Sequence, residues 1–347
     1  MHKIPPFSVS VIVPNRNDGK YLQRCLNSVI QQSVPPLELI ILDDESTDNS
    51  IEVIDTAIRG CDFAKFYINP KNLGATENSN RGLSLAKGKY VFFLGANDFV
   101  LPGLFARAQE CLNRYPAGIW SGMVWVVDEQ DKFIRVHPSP VISLKDKYFS
   151  PQECRNMMSS IGNWMTGQTT IYLREALVEV GGFDPSLKAL TDLMSAQVVA
   201  SRYGASFSPS PLGVMRIHEG AFLTATLGDI SLLNSILLDI KKRGPIKEPA
   251  LFTLKMLNRT TLRFYFASLR MTGGSTLVAI NKEIGPLRGG LLILTRFISN
   301  AVPFLRTGLF FIVMRPFDIT STIKLRIIFP IIVRLNEYFS GKKPFRN

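Results

Sequence analysis

Three short polar stretches of this sequence each follow an apolar run. Pro14-Asn15, Asp43-Asp44 and Asn97-Asp98 come at the ends of runs that are rich in Val, Ile, Leu and Phe. Amide and carboxylate oxygens of this kind can ligate a hard divalent cation or accept N–H groups from a ligand. The residues for a polar site are therefore present, provided that the fold brings the three stretches together.

The apolar runs alternate with helical patterns at short intervals, which predicts a mostly parallel sheet with helices on both faces. We predict strands at 9–15, 37–43, 63–68 and 89–95, and helices at 19–33, 49–58 and 76–88. Further on, we predict a helix at 104–114, a strand pair that turns near Asp131, and a strand, a short helix and a longer helix within 163–204. Ligands of such sheets lie beyond the carboxyl ends of the strands, where all three polar stretches fall.

Charge is distributed unevenly along the 347 residues, whose net charge is +12. Residues 1–240 hold 21 Lys and Arg against 24 Asp and Glu, whereas residues 241–347 hold 19 against 4. This division predicts a body at 1–240 and a basic, apolar helical region at 241–347, with residues 241–249 as a linker. No nucleic-acid motif, G-x-G-x-x-G fingerprint or phosphate-binding loop motif occurs, so we expect no nucleic-acid partner.

The four cysteines and the N-terminus indicate a cytosolic setting. Cys25, Cys61, Cys111 and Cys154 form no C-x-x-C pair, which predicts reduced, buried thiols and argues against a zinc site. The first ten residues hold no long apolar stretch, so we expect no signal peptide.

Six fragments in order make the first 220 residues resemble a family 2 glycosyltransferase of the GT-A fold, Rossmann-like in its sheet. They are "VSVIVPNRND", "LDDESTDNS", "NLGATENSNRGLSLAKGKYVFFLGAND", "LPG", "VGGFDPSLKALTDL" and "RIHEG". The resemblance implies an inverting transferase that moves a sugar from a nucleotide-sugar, such as a UDP-sugar, to a hydroxyl of a glycan or a polyprenyl-linked acceptor. The implied setting is polysaccharide biosynthesis for the cell envelope.

The resemblance also implies roles for individual residues. Asp44 would accept the imide N–H of uracil, and its alternative is to cap the helix near Asp48. Asp192 would be the general base that deprotonates the acceptor, and its alternative is a capping or ion-paired residue. The remaining contacts to the sugar-nucleotide would be Pro14, Asn17, Asn97 and Arg81, and Asp98 with His218 would hold Mg²⁺ or Mn²⁺. The alternatives for His218 are a phosphate contact and a structural role.

Four positions depart from the family pattern. Gly95 and Asn97 stand where the acids of a D-x-D motif are expected, which leaves Asp98 as the main charge. Ser79 replaces a common Arg, so that Arg81 is displaced by two residues from the phosphate contact, and Thr191 stands where Glu often precedes the base. We interpret the site as modified and active. The alternatives are a non-catalytic sugar-nucleotide-binding paralogue or assembly protein and a nucleotidyltransferase, for which "PNRNDGKY" is a poor phosphate loop.

The C-terminal region combines long apolar stretches with cations. Residues 289–317 and 319–339 are long enough to span a bilayer, but each contains Arg or Lys and a proline. In-plane helices on an anionic membrane, peripheral at the cytoplasmic face, explain these cations best. A spanning hairpin and a soluble helical region that packs on the body or forms a homodimer remain alternatives. Residues 251–271 predict a helix with a basic and an apolar face.

Overall fold

The computed structural model describes residues 7–137, 142–160, 162–217 and 222–271. Its first half is an alternating β/α unit, as predicted. The strands are β1 Val9–Asn15, β2 Glu38–Asp43, β3 Ala64–Ile68 and β4 Tyr90–Phe93, and the helices between them are α1 Gly19–Ile30, α2 Ser50–Ala57 and α3 Ala75–Leu85. These strands pair in parallel in the order β3-β2-β1-β4, so their carboxyl ends share one edge.

The second half extends the same sheet and makes it mixed. It adds β5 Phe99–Val100, α4 Leu104–Arg114, β6 Ile119–Val127, β7 Phe133–His137, β8 Lys147–Phe149, α5 Pro151–Ser160, β9 Ile171–Leu173, α6 Arg174–Glu179, α7 Thr191–Tyr203 and β10 Ala205–Arg216. The order continues from β4 to β9, β6, β10 and β5. The inserted β9 runs antiparallel to both β4 and β6, whereas β10 runs parallel to β6. Parallel pairing therefore dominates the predicted nucleotide half.

Both faces of the parallel strands are buried, which explains their continuous apolar runs. Alternate residues such as Ile12 and Ile40 pack in the cluster under α3 and α7, while Val11 and Ile41 pack in the cluster under α1. Gly82 of α3 permits a close approach to the sheet, because a Cβ there would lie 2.4 Å from a methyl carbon of Ile12. Of the four free cysteines, the structure buries Cys25, Cys111 and Cys154, as predicted, while Cys61 is half-buried.

The predicted linker at 241–249 is wrong, because a helix runs through most of it. Helix α9 spans Ile230–Lys247, after the short α8 Phe222–Gly228. Its buried stripe of Leu233, Ile236, Leu237 and Ile240 continues to Gly244, which packs against Phe252. The Gly-Pro pair therefore lies in the last turn of an amphipathic helix, and the predicted division at residue 240 remains a prediction.

Helix α10 covers Leu254–Met271 and confirms the helix predicted there. Its Met256, Leu257 and Tyr265 are buried, and Arg259 donates to the backbone oxygens of Ser159 and Ser160 at the end of α5. None of the helices within the described ranges has the length and apolar content needed to cross a membrane. The segments predicted to lie in or across a membrane, 289–317 and 319–339, fall outside the described residues.

Candidate active site

The carboxyl ends of β1 and β2 are joined by side-chain hydrogen bonds. Asn15 donates to a carboxylate oxygen of Asp43 at 2.7 Å. Asn17, in the left-handed region with a φ of 57°, accepts from the backbone N–H of Thr47 at 2.7 Å. Pro14, which is also predicted to contact the sugar-nucleotide, is half-buried in β1. The structure thus brings Pro14 and Asn17 to the edge where the sequence predicts the nucleotide.

Asp44 is buried and is the centre of a hydrogen-bond network at the ends of β2 and β3. Its carboxylate accepts from the backbone N–H groups of Leu73 and Gly74, both at 2.8 Å, and from the Asn69 amide at 2.6 Å. It does not cap α2, because Asp48 is the residue whose carboxylate accepts the N–H of Ser50. The capping alternative for Asp44 is therefore wrong.

Arg81 joins this network through Asn69. The Arg81 guanidinium donates to the side-chain oxygen of Asn69, and the Asn69 amide donates to Asp44 and, at 2.9 Å, to the Asn78 side chain. The structure therefore links Asp44 and Arg81, both predicted to bind the sugar-nucleotide, through the buried Asn69 side chain, which the sequence analysis missed. A signal for Asn69 was available, because it follows β3 as Asp44 follows β2.

Asp98 is nearly fully buried and both of its carboxylate oxygens accept hydrogen bonds within the protein. One oxygen accepts the backbone N–H of Arg216 at 2.8 Å, and the other accepts the Gln168 amide at 2.8 Å. Burial raises the pKa of the Asp98 carboxyl to about 6. The Arg216 side chain donates to the backbone oxygen of Asn97 and to Asp131. Asp98 therefore connects the segment at the D-x-D position, residues 95–98, to β10 and to the turn that carries Gln168.

Asp192 lies on the other side of that turn, a 3₁₀ turn at Gly167–Thr169. One Asp192 oxygen accepts the N–H of Leu193 at 2.6 Å, and the other lies 3.5 Å from where a Cβ on Gly167 would stand. The side chain reaches solvent, yet the surrounding protein raises the pKa of its carboxyl through desolvation. The Asp192 carboxylate is thus accessible to a ligand, as a catalytic base requires.

The Gly167–Thr169 turn lies between Asp98, which is predicted to bind a cation, and Asp192, which is predicted to act as the general base. Gln168 contacts Asp98 directly, and the neighbouring Gly167 faces Asp192. Thr169 anchors the turn to β6 by donating to the backbone oxygen of Gly122 at 3.1 Å. Sequence reasoning missed Gln168, which lies 70 residues from Asp98 and has no spacing signal of its own.

The described residues do not by themselves fit a divalent cation. Asn97 and Asp98 do converge, because a Cβ on Gly95 would lie 3.1 Å from the Asn97 side-chain oxygen and 3.2 Å from an Asp98 oxygen. These ligands bring only one negative charge, and both Asp98 oxygens already accept protein hydrogen bonds. Within the described ranges no three His, Cys, Asp or Glu side chains cluster as a cation would need. His218, the other predicted ligand, lies outside the described residues.

The fold and the position of these residues define a GT-A glycosyltransferase architecture. A crystal structure of Staphylococcus aureus TarS in complex with UDP-GlcNAc matches 96% of this chain and 92% of its own, with a TM-score of 0.58 and 17% identity. The mannosyltransferase PcManGT of Pyrobaculum calidifontis, solved with GDP-Man and Mn²⁺, matches 93% of this chain and 89% of its own, with a TM-score of 0.55 and 16% identity.

The sequence comparisons identify the family. Residues 10–181, about half of the chain, match the profile described as "Glycosyl transferase family 2". The glycosyltransferase GlyG of Streptococcus pneumoniae is 31% identical over 123 residues, which are 35% of this chain and 41% of GlyG. The chain belongs to glycosyl transferase family 2, and the resemblance noted from its motifs is confirmed.

Proposed function

We propose that this chain is an active, inverting glycosyltransferase that moves a sugar from a UDP-sugar to a hydroxyl of a glycan or lipid-linked acceptor. The observation that carries the proposal is the juxtaposition of Asp98 and Asp192 across the Gly167–Thr169 turn. In this arrangement one turn contacts both the residue expected nearest the diphosphate and the residue expected to activate the acceptor. The Asp44 network occupies the nucleotide end of the same sheet edge.

Asp44 keeps the capacity to recognise a base. An ionised carboxylate offers about four acceptor positions, and the protein supplies three donors to Asp44. The remaining position suits the imide N–H of uracil, and TarS, a neighbour in fold, is described with UDP-GlcNAc. Asn17 and Pro14 form the adjacent wall of the proposed base pocket. Arg81 supports this pocket through its hydrogen bond to Asn69 and does not contact the donor phosphates.

Asp192 is the proposed general base. Its carboxylate takes the proton from the acceptor hydroxyl as that oxygen attacks the anomeric carbon, and the nucleoside diphosphate leaves from the opposite face, which inverts the configuration. The raised pKa of Asp192 brings its basicity closer to what proton abstraction near neutral pH needs. Gln168 is the proposed positioning residue, because its amide fixes Asp98 while its backbone turn places Gly167 beside the base.

A requirement for Mg²⁺ or Mn²⁺ remains a prediction for this chain. PcManGT, a neighbour in fold, is described with Mn²⁺. Asp98, Asn97 and His218 are the residues that would hold a cation here, where it would neutralise charge on the leaving diphosphate. Since Gly95 and Asn97 replace expected acids, we expect the cation to bind weakly without the nucleotide.

The basic region supports a proposed membrane setting. We expect the chain to lie at the cytoplasmic face of the cell membrane, attached through the cations and apolar residues of 251–339, and to act in polysaccharide synthesis for the cell envelope. The loss of acids at Gly95 and Asn97 favours one second candidate, a sugar-nucleotide-binding assembly protein without transfer activity. A homodimer formed by the C-terminal helices is the alternative to membrane attachment.

A thermal-shift panel of nucleotide-sugars, with and without Mn²⁺, tests the proposed donor class. We expect UDP-sugars to raise the melting temperature more than GDP-sugars or CMP-sugars do, because Asp44 is matched to a uracil N–H. The Asp44→Asn variant, whose amide also presents an N–H to the base, should lose most of this shift. If no nucleotide-sugar stabilises the full chain under either condition, the proposed function is wrong.

A further inference from the structure

The connection between α9 and α10 exposes two large aliphatic side chains. Ile246 is 80% exposed and Leu254 is 75% exposed, the two highest values among the large hydrophobic residues in the described parts of the chain. Phe252, which packs against Gly244, fixes the connection to the end of α9. We call residues 242–255 the α9–α10 corner. Two neighbouring exposed aliphatics make this corner a candidate surface for contact with something apolar.

The α9–α10 corner is also positively charged. Lys242 lies one helical turn before Ile246, and Lys247 and Lys255 follow the two aliphatic residues directly. All three lysines are exposed, and no ion pair is found for them with other described residues. The acids nearby are engaged elsewhere, because Glu248 pairs with Arg202 and Asp239 pairs with Arg243.

We propose that the α9–α10 corner docks on a membrane surface that contains anionic lipid. Ile246 and Leu254 would enter the boundary between headgroups and acyl chains, and the adjacent ammonium groups would meet lipid phosphates. This combination of aliphatic tips and flanking lysines matches the two terms that anchor peripheral proteins. The inference deepens the membrane part of the proposed function and rests on it, but it assigns the contact to described residues outside the segments at 289–339.

The positive charge of the α9–α10 corner argues against two other occupants, a second copy of the chain and the chain's own C-terminal region. In a twofold dimer the same patch meets itself, so the lysines of two copies would face each other. The part of the chain that follows α10, residues 272–347, is also basic, with 11 Lys and Arg against 3 acids, and would repel the corner. An anionic lipid surface is therefore the complementary occupant.

Co-sedimentation of the full chain with vesicles tests the proposal. The vesicles are phosphatidylcholine alone or phosphatidylcholine mixed with phosphatidylglycerol. The double variant Ile246→Ser/Leu254→Ser should bind the mixed vesicles at least about tenfold more weakly, because it removes the two aliphatic side chains that would enter the bilayer. Lys247→Glu/Lys255→Glu should also bind at least about tenfold more weakly. Leu144→Ser, at a leucine that is 62% exposed elsewhere, is the matched control and should bind like the parent.

The results of these experiments distinguish failure of the proposed membrane contact from failure of the proposed transferase function. If the parent binds mixed vesicles and both double variants bind equally well, the corner is not the contact and the inference is overturned. A parent that binds no vesicles, or that forms a dimer which Ile246→Ser/Leu254→Ser dissolves in sedimentation velocity, also overturns it. Because the nucleotide-sugar thermal shift needs no membrane, failure there with intact vesicle binding would reject the transferase and leave the corner standing.

Discussion

Asp44 and Asp192, which we propose as the nucleotide end and the acceptor end of one site, are held in different ways. Asp44 is buried, and three protein donors fix its carboxylate. Asp192 reaches solvent, accepts the N–H of Leu193 in its own helix, and has a raised pKa. The proposed nucleotide end is therefore organised before any ligand arrives, whereas the proposed acceptor end keeps an accessible carboxylate. A transferase needs this division, because donor recognition requires fixed geometry and proton abstraction requires an unsatisfied base.

Replacing the base should produce the largest effect. Asp192→Asn should lower the transfer rate about 10²–10⁴-fold, because an amide cannot accept the acceptor's proton. Donor binding, measured by thermal shift, should stay within about a factor of two of the parent, since Asp192 is not among the proposed nucleotide contacts. Asp55→Asn, at an exposed carboxylate of α2, is the control and should leave both quantities unchanged. Transfer by Asp192→Asn within a few-fold of the parent would remove Asp192 from the role of base.

The pH dependence of transfer sharpens the same assignment. Asp192 accepts a proton only when it is ionised, and desolvation raises its pKa. The rate should therefore fall as the pH drops through that raised pKa, at a pH above the ordinary aspartate value of about 3.9. The residual activity of Asp192→Asn should lack this acid limb. If the limb persists unchanged in the variant, another group controls it.

Removing the charge of the D-x-D remnant should have the next largest effect. Asp98→Ala should abolish Mn²⁺-dependent binding of a nucleoside diphosphate, whereas Asn97→Ala should weaken it less, because only Asp98 supplies charge. Isothermal titration with UDP, with and without Mn²⁺, measures both. Since Asp98 also holds Gln168 and the Arg216 N–H, Asp98→Asn tests the charge in a side chain of the same size. Parent-like Mn²⁺-dependent binding by both Asp98 variants would show that Asp98 is not a ligand.

Gln168 links Asp98 to the turn beside Asp192, so its removal should couple a moderate loss of rate to a change in pH dependence. A hydrogen bond to a charged group contributes about 1.5–3 kcal/mol, so Gln168→Ala should lower the transfer rate at least about tenfold. Gln168→Glu should be worse, because it places a second carboxylate against buried Asp98. The pH–rate profile of the alanine variant should also shift, which loss of turn stability alone would not cause. Gln23→Ala, at an exposed glutamine of α1, is the matched control.

The smallest catalytic effect is expected at the nucleotide end. Asn69→Ala removes a donor to Asp44 and the acceptor for Arg81, so it should lower the free energy of unfolding by about 1–3 kcal/mol. UDP-sugar binding should weaken, while the rate at saturating donor should hardly change. Asn113→Ala, at an exposed site on α4, is the control for chemical denaturation. A large loss of rate at saturation would mean that the two ends are not separable.

The two ends also differ in how far the sequence predicted them. The strands and helices from β1 to β4 follow from local periodicity. The rule that ligands lie beyond the carboxyl ends of parallel strands placed Asn15, Asp44 and Asn97 at one edge. The same rule applied after β3 would have found Asn69. The contact between Asp98 and Gln168 spans 70 residues, and that between Asp98 and Arg216 spans 118, so only the folded sheet shows them.

The wrong linker at 241–249 has a simple physical reason. A Gly-Pro pair among lysines is a common helix breaker, but the apolar stripe of α9 continues to Gly244, and the proline falls in the last turn. Buried packing against Phe252 outweighs the local signal. Composition alone could not reveal this, because glycine adds no hydrophobic residue to the pattern.

Release of nucleoside diphosphate from a panel of nucleotide-sugars tests the central claim most directly. The purified full chain is incubated with each donor, with and without Mn²⁺, and with Asp192→Asn in parallel. We expect at least one UDP-sugar to release UDP, slowly by hydrolysis and faster when a suitable acceptor is added, and the acceptor-dependent part to vanish in Asp192→Asn. Donor binding without any release from any nucleotide-sugar, under conditions where acceptors are present, would contradict the account and favour the non-catalytic binding protein.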